Sequence, residues 1–124
     1  MGNKEDIEME KIQIIQGDVS PIFKFQRKYS DGTVIPTLPQ KMWITFKKSY
    51  NCNEYLFQKT LENGITFEEE YYKFQLFSED TYELNYGVYG FDIAIINEQG
   101  EKKTLLNDGE LEIVRHYTKK CNEV

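Results

Sequence analysis

The decapeptide VYGFDIAIIN, residues 88–97, holds the longest alternation in the chain. Tyr89, Phe91, Ile93 and Ile95 fall on one side of an extended backbone, and Gly90, Asp92, Ala94 and Ile96 on the other. A period of two is what a strand buried on one face requires, so the first set is assigned to a core. The spacing predicts a long strand here, and the neighbouring segments are read as its partners.

Downstream, Glu98-Gln99-Gly100 turns the chain, residues 102–106 pair back, and Asn107-Asp108-Gly109 is read as a second turn before a last strand with Leu111 and Ile113 inward. Upstream, Ser78-Glu79-Asp80-Thr81 places a capping serine before two acids, which predicts one short helical turn near residues 78–84. Before it, Tyr72, Phe74 and Leu76 alternate with Lys73 and Gln75. Short strands at 55–60 and 65–67 flank Asn63-Gly64, a dipeptide suited to a tight hairpin turn.

Residues 41–48 put Met42, Ile44 and Phe46 opposite Trp43, Thr45 and Lys47. Pro36 and Pro39 cannot donate ladder hydrogen bonds, so the segment containing them is a loop or an irregular edge, not a central strand. Residues 21–28 place Phe23 and Phe25 opposite Lys24, Gln26 and Lys28, and residues 11–16 alternate through Ile12 and Ile14. Roughly seven to nine short strands, with turn signals about every 8 to 12 residues, predict an all-β, antiparallel, immunoglobulin-like β-sandwich. Its expected span is 11–116, between a flexible, acidic N-terminal arm at 1–10 and a C-terminal tail at 117–124.

At 124 residues the chain has the size of one domain. Nine Tyr and eight Phe concentrate the apolar material in side chains that favour strands. A net charge of −6 argues against nucleic acid as a partner, since phosphate binding needs clustered Lys and Arg. No apolar run reaches the length of a membrane span or resembles a signal peptide, so a cytoplasmic location is expected, with no membrane partner.

The chemistry-bearing residues are sparse. The single histidine, His116, sits between Arg115 and Tyr117 at the end of the last strand and is read as solvent-exposed, not as an acid or base. Cys52 and Cys121 begin no zinc motif and are read as free thiols, with a disulfide left open. The acids at Glu68-Glu69-Glu70, Glu79-Asp80, Asp108 and Glu110 fall at turns, where solvation explains them. No catalytic residue, metal or cofactor is therefore expected. Asp92 interrupts an apolar strand and reads either as a structural hydrogen-bond acceptor, the favoured reading, or as a partner contact. Trp43, Tyr50, Tyr55, Tyr71 and Phe77 lie outside the inward series or at its margins, as an interface patch or as residues covered by the sheets.

Several elements recur in a recognisable order. They are Gly17-Asp18, Phe23 and Phe25, Asp31-Gly32, ITFKKS at 44–49, Asn63-Gly64-Ile65, the block from Ser78 through Leu84, Tyr86-Gly87, Tyr89, Phe91-Asp92-Ile93, Lys103 to Leu106, Gly109 and Leu111-Glu112-Ile113. Over about residues 11–114 the chain resembles the immunoglobulin-like domain of phage and prophage tail proteins, and is similar to the N-terminal domain of baseplate upper proteins. That resemblance implies a non-enzymatic assembly or attachment module. Its partners would be other tail or baseplate proteins or further copies of itself, and it would reside in the bacterial cytoplasm during assembly and then in the virion. It also implies turn and framework roles for Gly17, Asp18, Gly32, Gly64, Gly87 and Asp92. The family domain commonly heads a longer fibre, from which this chain departs by ending soon after the last strand. The alternative is a small carbohydrate or cell-surface binding module, because Tyr and Trp near loops present faces on which sugars stack.

Overall fold

The computed structural model describes residues 5–7, 9–48 and 54–115. Tyr50, Cys52, His116, Cys121 and the expected tail at 117–124 lie outside the described residues. In chain order the strands are β1 (Glu5–Asp6), β2 (Ile12–Ile15), β3 (Phe23–Phe25), β4 (Lys28–Tyr29), β5 (Lys41–Lys47), β6 (Phe57–Thr60), β7 (Thr66–Glu68), β8 (Tyr71–Phe74), β9 (Gly87–Ile96) and β10 (Lys102–Val114). One helical turn, α1 (Ser78–Thr81), lies between β8 and β9.

A five-stranded sheet in the order β2-β10-β9-β5-β6 faces a three-stranded sheet in the order β3-β8-β7, and β1 pairs with β4 beside them. The chain is thus an all-β sandwich, as the alternation predicts. Tyr89, Phe91, Ile93 and Ile95 are buried, as are Met42, Ile44 and Phe46 on β5 and Tyr72, Phe74 and Leu76 across the gap. Each fully buried Phe or Ile contributes about 1.5–3 kcal/mol. In antibody domains a disulfide pins the two sheets together. Here aromatic rings span the core: Phe46 lies 5.1 Å from Phe91 within its own sheet and 6.5 Å from Phe74 in the other. At the entrance to β9 the Tyr89 hydroxyl donates to the Asn85 carbonyl at 2.7 Å, the tyrosine corner of immunoglobulin-like sandwiches.

Four details depart from the sequence expectation. First, β2 pairs with β10 in parallel, Ile12 beside Leu111 through Ile15 beside Val114. The chain leaves β2 for β3 in the other sheet, so β2 joins the edge of β10 without any hairpin. Second, residues 107–109 do not form a turn. β10 runs on through them, with register shifts between Thr104 and Leu106 and between Leu106 and Gly109. Third, the Asn63-Gly64 turn carries the chain from β6 in one sheet to β7 in the other. Gly64 has φ +114°, and its α-carbon packs against the stem of Lys59. Fourth, the ordered domain begins before Lys11, which corrects the expected flexible arm: β1 pairs with β4, and Ile7 is buried in the core.

The helical turn also differs in its cap. Phe77, not Ser78, stands at the N-cap, and Asp80 accepts the Phe77 N–H at 2.8 Å. The same Asp80 carboxylate binds Lys59 Nζ at 2.8 Å. Lys59 points inward from the edge strand β6 and is buried there. An inward-pointing charge on an edge strand opposes pairing with a foreign strand, and Lys59 supplies that protection here.

Candidate interaction surface

Of the aromatic residues singled out from the sequence, Trp43 and Tyr71 do not share a surface. Trp43 is half-buried on the outer face of the five-stranded sheet, since its neighbours Met42 and Ile44 face the core. Tyr71 lies on the outer face of the opposite sheet, with Lys24 Nζ 4.8 Å from its ring centre. Tyr55 is exposed just before β6, and Phe77 is exposed at the cap of α1 with Lys59 Nζ 5.3 Å from its ring. Two outer faces of one sandwich point in opposite directions, so Trp43 and Tyr71 belong to no common patch. Among the framework residues Gly17, Gly32, Gly64 and Gly87 all adopt positive φ, and the Asp18 N–H closes a turn onto the Ile15 carbonyl at 3.0 Å. Asp92 faces outward, with Lys47 Nζ at 3.8 Å.

A different apolar surface forms at one corner of the five-stranded sheet. Where β2 ends, Gln16 Nε2 donates to the Leu84 carbonyl at 2.7 Å and the Tyr82 carbonyl at 3.2 Å. The Gly17 N–H donates to Thr81 Oγ1 at 3.2 Å, and Ser78 Oγ donates to the Gly17 carbonyl at 2.5 Å. These bonds fasten the loop after α1 to the turn after β2. The register then places Ile15 beside Val114 and Val88 beside Glu112 on the outer face. Val19 (58% exposed), Tyr82 (57%), Tyr86 (49%) and Val88 (53%) are exposed large apolar side chains on the segments that these bonds and registers bring towards the end of β2. A recess of about 310 Å³ opens between Ile15, Val19, Pro21 and Val114.

The rim of this corner is mostly acidic: Asp18, Glu79 and Glu83 are all exposed. The Glu83 carboxylate lies against the Tyr82 hydroxyl and raises its pKa, chiefly by accepting its hydrogen bond. Arg115 stacks over Tyr86 at 5.3 Å. Sequence reading missed this surface, although a signal was present. Ile15 occupies the outward phase of a strand whose inward phase, Ile12 and Ile14, was already filled.

A second feature missed from the sequence is a buried cation. Arg27 is 1% exposed. Its Nε and Nη2 bind the two oxygens of Glu5 at 2.5 and 3.2 Å. Nη1 donates to the Thr37 carbonyl at 3.0 Å and to Glu98 at 3.4 Å, and Nη2 donates to Glu98 at 3.2 Å. The Thr37 hydroxyl donates to the same Glu98 carboxylate. A guanidinium has five N–H groups, and these five bonds use them all, so the cluster is a structural clamp with no donor left for a ligand. Its signal was also present: the alternation through Phe23 and Phe25 reaches Arg27 next on the inward side.

Burial disfavours the charged form of Arg27, but the bonds to Glu5 and Glu98 more than offset it and hold the group protonated well above its ordinary range. Burial also pushes Glu98 towards protonation. The bonds from Arg27 and Thr37 outweigh that and leave its pKa below the ordinary 4.5. Burial raises the Tyr72 pKa against the opposing effect of Arg27. Because the folded-state pKa of Glu98 is depressed, its contribution is present above the ordinary value and lost as pH falls through the folded one. Urea midpoints are therefore expected to fall as the pH drops below about 4.5, and Glu98→Gln to flatten part of that fall. An identical pH slope in wild type and variant would exclude Glu98 as a contributor.

Among the described residues no three His, Cys, Asp or Glu side chains gather as a cation site, and no helix is long and apolar enough to cross a membrane. No family model and no curated protein matches the chain. Among solved structures, the chain is similar to CopC from Methylosinus trichosporium OB3b, with a TM-score of 0.51 and 12% identity over 90% of this chain and 95% of that one. At that identity the likeness concerns the fold alone.

Proposed function

We propose that the chain is a non-enzymatic interaction domain that assembles into a phage or prophage tail or baseplate through protein contacts. The observation that carries a contact role is the corner formed by Ile15, Val19, Tyr82, Tyr86 and Val88. Its apolar centre and acidic rim match the core-and-rim plan of protein interfaces. The tail assignment rests on the order of turns and strands given above. The partner this corner fits has an apolar centre and a basic rim.

The test begins with the gene's neighbours and proceeds to binding with their purified products. Val88→Lys sets a cation within the corner, opposite Glu112, where it pairs favourably within the sheet. It is expected to leave the melting temperature unchanged and to weaken binding by at least about thirtyfold. A gene remote from tail, baseplate and lysis genes, or a Val88→Lys protein that binds its partner as wild type does, overturns the proposal.

A further inference from the structure

The two register shifts in β10 create a recess on the outer face of the five-stranded sheet. Between Thr104 opposite Ala94 and Leu106 opposite Ile93, β10 takes two steps to one on β9. Between Leu106 and Gly109, opposite Phe91, it takes three to two. Bulges of this kind re-aim side chains. The recess, of about 410 Å³, is lined by Lys47, Gly90, Phe91, Asp92, Thr104 and Asn107. That volume lies within the range of small-molecule sites.

Its polar groups are under-used. Among the described residues the Asp92 carboxylate has only the distant Lys47 ammonium, 3.8 Å away, beyond hydrogen-bond range. Thr104 and Asn107 are exposed. Gly90 adds no side chain to the floor. In the adjoining cross-strand row, Trp43 and Thr104 flank Ala94, whose small side chain leaves a gap between them. That gap spans two strand spacings, roughly 10 Å. Trp43, outside the lining, thus stands one cross-strand row from a recess that holds a carboxylate, a carboxamide, a hydroxyl and an ammonium.

We infer that this recess binds a neutral saccharide ring. Asp92 accepts from a pair of vicinal hydroxyls, Asn107 and Lys47 donate to ring substituents, and Trp43 covers the apolar face of the sugar. Neutrality follows from the composition of the site, in which one carboxylate and one ammonium balance. The inference places the carbohydrate-binding alternative at a defined site and is independent of the protein-contact corner, with which it shares no residue.

The full-length chain is to be titrated with the methyl glycosides of glucose, galactose, mannose and N-acetylglucosamine. Amide shifts and the fluorescence of Trp43, the only tryptophan, are the readouts. At least one glycoside is expected to saturate with Kd of about 1–10 mM, with shifts centred on Asp92, Thr104 and Asn107. Asn107→Ala and Asp92→Asn, both outward-facing, are each expected to weaken binding about tenfold without loss of fold. No saturable response to any of the four overturns both the site and the carbohydrate-binding reading. Saturation centred on Tyr82 and Tyr86, or undiminished in both variants, overturns the site alone.

Discussion

Arg27→Met is expected to lower the unfolding free energy by about 3–5 kcal/mol, the cost of stranding buried charge when one partner of an ion cluster is removed. The Glu5 side chain is 8% exposed and that of Glu98 31%, so the stranded charge is chiefly that of Glu5. Methionine fills much of the volume of arginine but supplies none of the five donors, so the Thr37 carbonyl is left with only the long bond from the Tyr72 hydroxyl, at 3.4 Å. For a domain of this size the change amounts to a fall in Tm on the order of 10–20 °C. The companion variant Glu5→Leu/Arg27→Met/Glu98→Leu removes the charges together and is expected to recover most of the loss. A chain lacking residues 1–10 is expected to unfold nearly as readily as Arg27→Met, because it loses both Glu5 and the buried Ile7. Calorimetry of the four proteins decides the matter. If Arg27→Met melts within a degree or two of wild type, the clamp holds nothing.

The clamp also marks where sequence reading stops. Half-buried strands announce themselves through period two, and Met42, Ile44 and Phe46, or Tyr89 through Ile95, are legible for that reason. Alternation assigns a residue to a face regardless of its chemistry. Alternation alone does not mark Arg27 as a core residue, because an unpaired arginine in a core is prohibitive and its carboxylate partners lie 22 and 71 residues away. The parallel pairing of β2 was illegible because period two carries no strand direction. The corner was half legible: Ile15 stood in the outward phase, but Tyr82 and Tyr86 lie in a loop, where periodicity has nothing to say.

Gly109→Ala is the other substitution expected to cost heavily, and its cause is space, not backbone conformation. A Cβ at Gly109 would lie 2.6 to 2.7 Å from three atoms of the Phe91 ring. That ring cannot retreat, since Phe91 is 1% exposed and packs against Phe46 at 5.1 Å. Overpacking of this kind costs about 1–3 kcal/mol and more where the neighbour is rigid, so a loss near 3 kcal/mol is expected. Gly32→Ala supplies the contrast: nothing lies within 4 Å of its Cβ, but φ is +93°. That variant is expected to lose about 1 kcal/mol from backbone strain alone. Trimming the obstacle distinguishes the two mechanisms. In a Phe91→Leu background, Gly109→Ala is expected to cost at least about 1 kcal/mol less than in wild type, whereas the cost of Gly32→Ala, remote from Phe91, stays the same. Urea denaturation of the double-mutant cycle measures the coupling, and strict additivity between Gly109 and Phe91 would rule out the ring as the reason β10 needs glycine there.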